Sequence, residues 1–136
     1  MNQERDFDME IYDYMHQSEY FNSKILQRYL GGMRLGVFDI ETLGLYPKYN
    51  PMILAGIMGI EPDGSCHVRQ LFAETSKSDE EHFLLAELEN ELSNFDCILT
   101  YNGRYFDIPY VYERASKLGF DDYCIQPFNL DLLLFL

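Results

Sequence analysis

The sequence predicts an α/β domain: a mixed sheet built from a three-strand antiparallel meander plus two parallel strands, with flanking helices. Three observations carry this. Strand-like runs follow one another with short links between residues 35 and 74, and helix, strand, helix and strand patterns then alternate towards residue 136. Crossovers through helices set the later strands parallel to the first. At 136 residues and 47% hydrophobic, the chain suits one core that hides roughly two thirds of its unfolded surface.

Residues 1–32 are polar, acidic and Tyr-rich, and Phe21, Ile25, Leu26 and Tyr29 recur at helical spacing before Gly31 and Gly32. They predict an N-terminal helical extension, with the main domain over 33–136. Leu35 to Ile40 predicts a strand, and Gly44, Pro47, Asn50 and Pro51 mark the loop after it. "MILAGIMGI" from Met52 predicts a second strand, and the "PDG" turn at Pro62 leads into a third, on which Cys66, Val68, Gln70 and Phe72 share a face. Ser78 with Glu81 forms a capping-box pattern, and Phe83, Leu84, Leu88 and Leu92 make the apolar stripe of a helix most of whose acids are expected to face water. "CILTYNG" from Cys97 predicts a strand, "YVYERASKLGF" from Tyr110 a helix closed by Gly119, and "FNLDLLLFL" a final strand.

A net charge of −13, from 10 Lys and Arg against 23 Asp and Glu, argues against a nucleic-acid partner when taken alone. The run from Asp79 to Asp96 carries seven acids and no Lys or Arg, so it accounts for −7 and leaves −6 elsewhere. Acids that hold a divalent cation are also exempt, because the metal supplies the positive charge. Cys66, Cys97 and Cys124 show no zinc spacing and read as reduced thiols of a cytoplasmic protein. No apolar run approaches the roughly 18 residues that cross a bilayer, so no membrane partner is expected.

The chemistry lies in "GVFDIETLGL". Residues two apart in a strand point to the same side, so Asp39 and Glu41 present two carboxylates together. Either the strand end is solvated, or something positive sits between them. In "TYNGRYFDIPY", Asp107 stands just past another predicted strand, close to Asn102. If the two strands are parallel neighbours, Asp39, Glu41 and Asp107 converge outside their carboxyl ends. Three carboxylates without a softer ligand suit Mg2+ or Mn2+. The alternative for Asp107 is a helix N-cap, since Pro109 follows it.

"FDIETLGL" resembles the first motif of the DEDD (DnaQ-like) 3'-5' exonucleases of the ribonuclease H-like superfamily, and "NGRYFD" resembles their second. "VRQLFAE", "ILTYNGRYFDIPYV" and "LDLL" are similar to the YprB-like ribonuclease H-like family. The resemblance spans about residues 35–136, with Leu43 departing where many relatives carry Thr. It implies a ribonuclease H-like exonuclease domain whose metal ligands and catalytic acids are Asp39, Glu41 and Asp107, with Asn102 positioning the site. It also implies a third motif, a His or Tyr followed four residues later by Asp, on a helix after the last strand. The expectation is therefore that this C-terminal helix is missing, that the domain is incomplete at that end, and that the chain alone cuts poorly.

Asp131 does not fill that gap, because Pro127 stands where the motif requires His or Tyr; it reads as a supporting or structural acid. His16, His67 and His82 read as surface or edge residues rather than ligands or bases. Thr42 has two readings, a hydrogen bond near the acids or a turn. Tyr101 and Tyr105 also have two, stacking on a nucleobase or packing. The expected function is that of a 3'-5' exonuclease-like domain hydrolysing DNA or RNA phosphodiester bonds by a two-metal mechanism, with Mg2+ or Mn2+ at both positions and Asp39 shared by the two ions; the alternative is a non-catalytic ribonuclease H-like module that binds nucleic acid or a protein.

Overall fold

The computed structural model describes residues 9–17, 24–125 and 128–135. The meander forms as expected: β2 (Leu35–Thr42) pairs antiparallel with β3 (Met52–Ile60), and β3 with β4 (Ser65–Ala73). The β3–β4 turn closes through a bond from the Gly64 N–H to the Glu61 carbonyl, with Gly64 at φ +86° and Asp63 Oδ1 accepting from the Ser65 N–H and hydroxyl. Helix α2 (Ser78–Leu92) crosses over to β5 (Cys97–Thr100), which lies parallel to β2. Helix α3 (Asp107–Lys117) then crosses to β6 (Asn129–Asp131), parallel to β5. At the C-terminus of α3, Gly119 takes φ +87°, its N–H reaches the Ser116 carbonyl and the Phe120 N–H reaches that of Ala115. These two bonds satisfy carbonyls the helix end would otherwise leave open.

The sheet has one more strand than expected. Met9–Gln17 is β1, an edge strand antiparallel to β4, so the order is β1-β4-β3-β2-β5-β6. Within residues 1–32 only Lys24–Leu30 is helical among the described residues, as α1, and Phe21 of the expected stripe lies outside them. The helix expected from Ile25, Leu26 and Tyr29 forms as α1, and the strand before it is unexpected for a physical reason: among the described side chains of β1, residues 11–14, all are exposed, so they show no wet-and-dry alternation to read. Asp13 anchors it to β4, 3.1 Å from His67 Nε2 and 3.8 Å from Arg69 Nε. The last strand is shorter than expected, ending at Asp131 and passing into a 3-10 helix over Leu132–Phe135.

Both faces of the sheet are covered. On one, Phe38, Ile40, Ile57 and Leu71 meet Leu84, Leu85, Leu88 and Leu92 of α2 and Val111 of α3. The four α2 leucines are fully buried, each removing about 1.5–3 kcal/mol of unfavourable hydration. On the other face Leu35, Ile60, Cys66 and Cys97 gather with Leu30 and Met33. On β4 the most deeply buried side chains are Leu71 and Ala73, beneath α2, whereas the expected Cys66 face is the shallower one.

The capping box of α2 does not form. Lys77 occupies the N-cap position without a side-chain cap, because Glu81 turns inward instead. Its Oε1 accepts from the Met52 N–H at 2.9 Å and from Arg114 Nε at 2.6 Å, and its Oε2 pairs with Arg114 Nη2. Four of the other five α2 acids are also engaged rather than simply solvated, and Asp79 is exposed. Glu80 accepts from the Thr75 N–H and hydroxyl, Glu87 and Glu91 pair with Arg69, and Glu89 accepts from the Cys124 N–H. Among the described residues no helix is long and apolar enough to cross a membrane.

Candidate active site

Three segments build the site at the carboxyl ends of β2 and β5, where open α/β sheets place their ligands. The first is the end of β2. Asp39 and Glu41 are exposed on the same face of the strand, and the register shifts between Glu41 and Thr42, where Glu41 pairs with Leu54 and Thr42 with Met52. This bulge leaves Ile53 without a partner on β2 and bends the strand end beside the acids.

The second segment is the loop after β5. Asn102 holds the left-handed conformation at φ 60°, and its carbonyl accepts from the Tyr105 and Phe106 N–H groups. Gly103 lies against Thr100, where any Cβ would come within 2.4 Å of the threonine side chain. Asp131 holds this loop from behind, accepting from the N–H groups of Asn102 at 2.7 Å, Arg104 at 3.1 Å and Leu133 at 3.1 Å. Burial opposes its charge, but those three bonds outweigh burial and hold its carboxyl below the ordinary range. Asp131 is thus a structural acid; Pro127 lies outside the described residues.

The third is the start of α3. Asp107 is buried at 4% exposure, and its Oδ2 accepts from the Ile40 N–H at 3.1 Å, which ties the helix to β2 between the two strand acids. The N-cap position belongs to Phe106, so the cap reading of Asp107 is not what the chain adopts. Burial pushes the Asp107 carboxyl up to about 6; the Ile40 N–H opposes this and the neighbouring Asp39 charge adds to it. Neither Asp39 nor Asp107 has a cationic side-chain partner among the described residues.

The expected convergence of three carboxylates is therefore met by two. Asp39 and Asp107 face each other, whereas among the described residues no three His, Cys, Asp or Glu side chains gather closely enough to hold a metal ion. Glu41 shares the strand face of Asp39 without joining the pair. Two carboxylates still fit Mg2+ or Mn2+, since Mg2+ is commonly held by one or two carboxylates and completes its shell with water and phosphate oxygens.

Of the other expected site residues, Thr42 takes its turn role, donating to the Gly44 carbonyl at 2.8 Å. Tyr105 and Tyr101 are 66% and 59% exposed rather than packed, with the Arg104 guanidinium 5.7 Å from the Tyr105 ring centroid. His67 binds Asp13 and His82 stacks on Phe120 with centroids 4.2 Å apart, so both are the edge and surface residues expected. Cys66, Cys97 and Cys124 are free thiols.

Sequence reasoning missed the residues that hold the β2–β3 loop. Tyr110 donates its hydroxyl towards the Gly44 and Asn50 carbonyls at 2.9 and 2.7 Å, and Arg114 Nη1 donates to the Pro47 carbonyl at 2.8 Å. Lys117 Nζ donates to the Lys48 carbonyl one helical turn on. The spacing of 110, 114 and 117 is the available signal: it puts all three on one helix face.

The raised Asp107 carboxyl gives a pH prediction. A folded pKa of about 6 against an ordinary 3.8 means the folded state binds the extra proton between these values, so this group's contribution to stability falls as pH rises through that window. Denaturant titrations without metal should show Asp107→Asn gaining on the wild type from pH about 4 to about 6 and by a constant amount above it. A difference that does not change with pH would show that burial does not raise the Asp107 carboxyl.

A family model described as the RNase_H superfamily matches residues 37–134. DNA polymerase 1 of Sulfurisphaera ohwakuensis is 44% identical over 50 residues, which is 37% of this chain and 6% of the polymerase. DNA polymerase 1 of Sulfolobus acidocaldarius is 48% identical over 42 residues, 31% of this chain and 5% of the polymerase. The chain thus spans only a small part of these curated relatives. Among solved structures, the family B DNA polymerase of Pyrobaculum calidifontis superposes with a TM-score of 0.58 at 22% identity, over 74% of this chain and 15% of that one. E. coli exonuclease I in complex with a dT13 oligonucleotide also reaches 0.58, at 13% identity, over 73% of this chain and 28% of that one. At these identities the likeness is one of fold.

Proposed function

The chain belongs to the RNase_H superfamily, and from that premise we propose that it is a metal-dependent 3'-5' exonuclease-like domain hydrolysing nucleic-acid phosphodiester bonds. The observation that carries this is the facing pair Asp39 and Asp107, one exposed and one buried, without a cationic side chain among the described residues to neutralise them. A structural acid pair is stabilised by an Arg or Lys, as Glu81 is by Arg114; this one is left for a cation that arrives with its substrate. Asp39 and Asp107 would hold Mg2+ or Mn2+, with Glu41 on the same strand face orienting water. Bound there, a divalent cation lowers the pKa of water and stabilises charge on the leaving oxygen. Exposed Tyr105 offers a ring to a base, Arg104 a charge to a phosphate, and the Asn102 turn aims both. Thr42 shapes the loop on the opposite side through its bond to Gly44. The relatives named for DNA synthesis, and the neighbour bound to an oligonucleotide, support nucleic acid as the partner.

A second reading is favoured by one observation: among the described residues no third metal-binding side chain joins the two carboxylates. It makes the chain a module that binds nucleic acid or a protein without cutting. Incubation of end-labelled single-stranded DNA and RNA with the full chain, in Mn2+ or in EDTA, separates the two. Slow, Mn2+-dependent shortening from the 3' end supports the hydrolase. Binding without shortening at any metal concentration supports the module.

A further inference from the structure

Beyond the acids, the loop after β2 and the last turns of α3 border an open cleft of about 480 Å3 lined by Lys48, Tyr49, Glu113, Ser116 and Lys117. We propose that this cleft is a second contact for single-stranded nucleic acid, holding a backbone phosphate between Lys48 and Lys117 and a base on Tyr49. The proposal rests on the nuclease reading and deepens it, since it names the form of the substrate and where the strand runs.

Charge favours an anion here. In a chain of net charge −13, Arg34, Arg69 and Arg114 are each taken up by acids, in pairs with Glu61, with Glu87 and Glu91, and with Glu81. Lys48 and Lys117 enter no ion pair among the described residues. Lys117 Nζ spends one donor on the Lys48 carbonyl and keeps two, and Lys48 Nζ stands 5.4 Å from the Tyr49 ring centroid. Glu113 offsets one of the charges and leaves the cleft net positive. An anion is the complement of such a cleft, and phosphate is the anion repeated along a nucleic acid.

Shape favours a single strand. The Tyr49 ring is 71% exposed, and Tyr46 on the same loop is 70% exposed. An exposed ring beside a cation stacks on a base whose face is free, which a single strand offers and a duplex does not. Position links the cleft to the acids. Asp107 opens α3 and Lys117 closes it, so the two are about 15 Å apart at about 1.5 Å per residue. A strand with phosphates about 3.4 Å or more apart covers that distance in about four nucleotides or fewer. The loop that forms one wall is fixed to α3 by Tyr110, Arg114 and Lys117, so the track from acids to cleft is prearranged.

The test uses Lys48→Gln with Lys117→Gln in the full chain. The side-chain amide introduced by Lys117→Gln keeps a donor for the Lys48 carbonyl, so charge is removed while the loop stays tied. Fluorescence anisotropy in EDTA follows labelled oligothymidylate of about eight nucleotides and a duplex of the same length. The expected result is about tenfold weaker binding of the single strand by the double variant, with the salt slope reduced by about 0.7, the share of the one phosphate held between the two lysines. Equal affinity and slope for both proteins would overturn the cleft and leave the nuclease reading standing. Tighter wild-type binding of the duplex than of the single strand would also overturn it. Absence of binding to the single strand by the wild type would overturn the cleft too, and the nuclease reading would stand or fall separately on Mn2+-dependent cleavage.

Discussion

Arg114→Met is expected to destabilise the protein by about 3–5 kcal/mol, the cost of leaving one buried charge unpaired. The side chains of Arg114 and Glu81 are 6% and 2% exposed. Their paired contact is supplemented by bonds to the Met52 N–H and the Pro47 carbonyl, so every polar end has a partner. The guanidinium is held above its ordinary pKa by its hydrogen bonds to Glu81, against the cost of burial, and stays charged at any working pH. Met roughly matches the volume of Arg, so the loss is electrostatic rather than steric. The double variant Arg114→Met with Glu81→Gln removes the orphan charge and should recover much of the loss, because well-packed neutral residues often replace a buried pair at little cost. Urea denaturation of the three proteins measures this. A single variant within about 1 kcal/mol of the wild type would show that water reaches Glu81.

Asp39→Asn is expected to lower metal-dependent cleavage by more than about 100-fold, since even residues that only orient a metal ligand cost about 10 to 100-fold. The same change should not weaken the metal-free fold at neutral pH, because it relieves the repulsion felt by Asp107. Asp131→Ala should behave in the opposite way. It orphans the N–H groups of Asn102, Arg104 and Leu133 and should cost about 1–3 kcal/mol in stability, while metal affinity of the folded protein persists. Thermal melts with and without Mn2+, paired with initial cleavage rates, separate these outcomes. A cleavage rate unchanged in Asp39→Asn would remove that carboxylate from the chemistry.

The meander and the acids on its first strand are legible in the sequence because each strand has its own turn signal, and because two carboxylates in an apolar run have few benign explanations. The parallel pairing of β2 with β5 follows from the α2 crossover, and it is what allows Asp107 to reach the Ile40 N–H. The edge strand β1 is not legible. Ile11, Tyr12 and Tyr14 are 41%, 44% and 56% exposed, so apolar and polar residues do not sort to opposite faces. Glu81 misleads for a different reason. Its spacing from Ser78 fits a helix cap, but a charged partner 33 positions away competes for the same carboxylate and wins, because a buried pair with satisfied ends outweighs a half-exposed cap. Glu41 shows the limit of period-two reasoning: sharing a face with Asp39 does not bring its carboxylate to Asp107.

The proposed chemistry stands on Asp39 and Asp107 together holding a divalent cation. Calorimetric titration of Mn2+ into the full chain tests this directly, at a pH well above about 6 so that Asp107 is ionised. A saturable isotherm is expected for the wild type and for Asp131→Asn, and its disappearance in both Asp39→Asn and Asp107→Asn. Unchanged binding in those two variants, or no binding by the wild type, would contradict it.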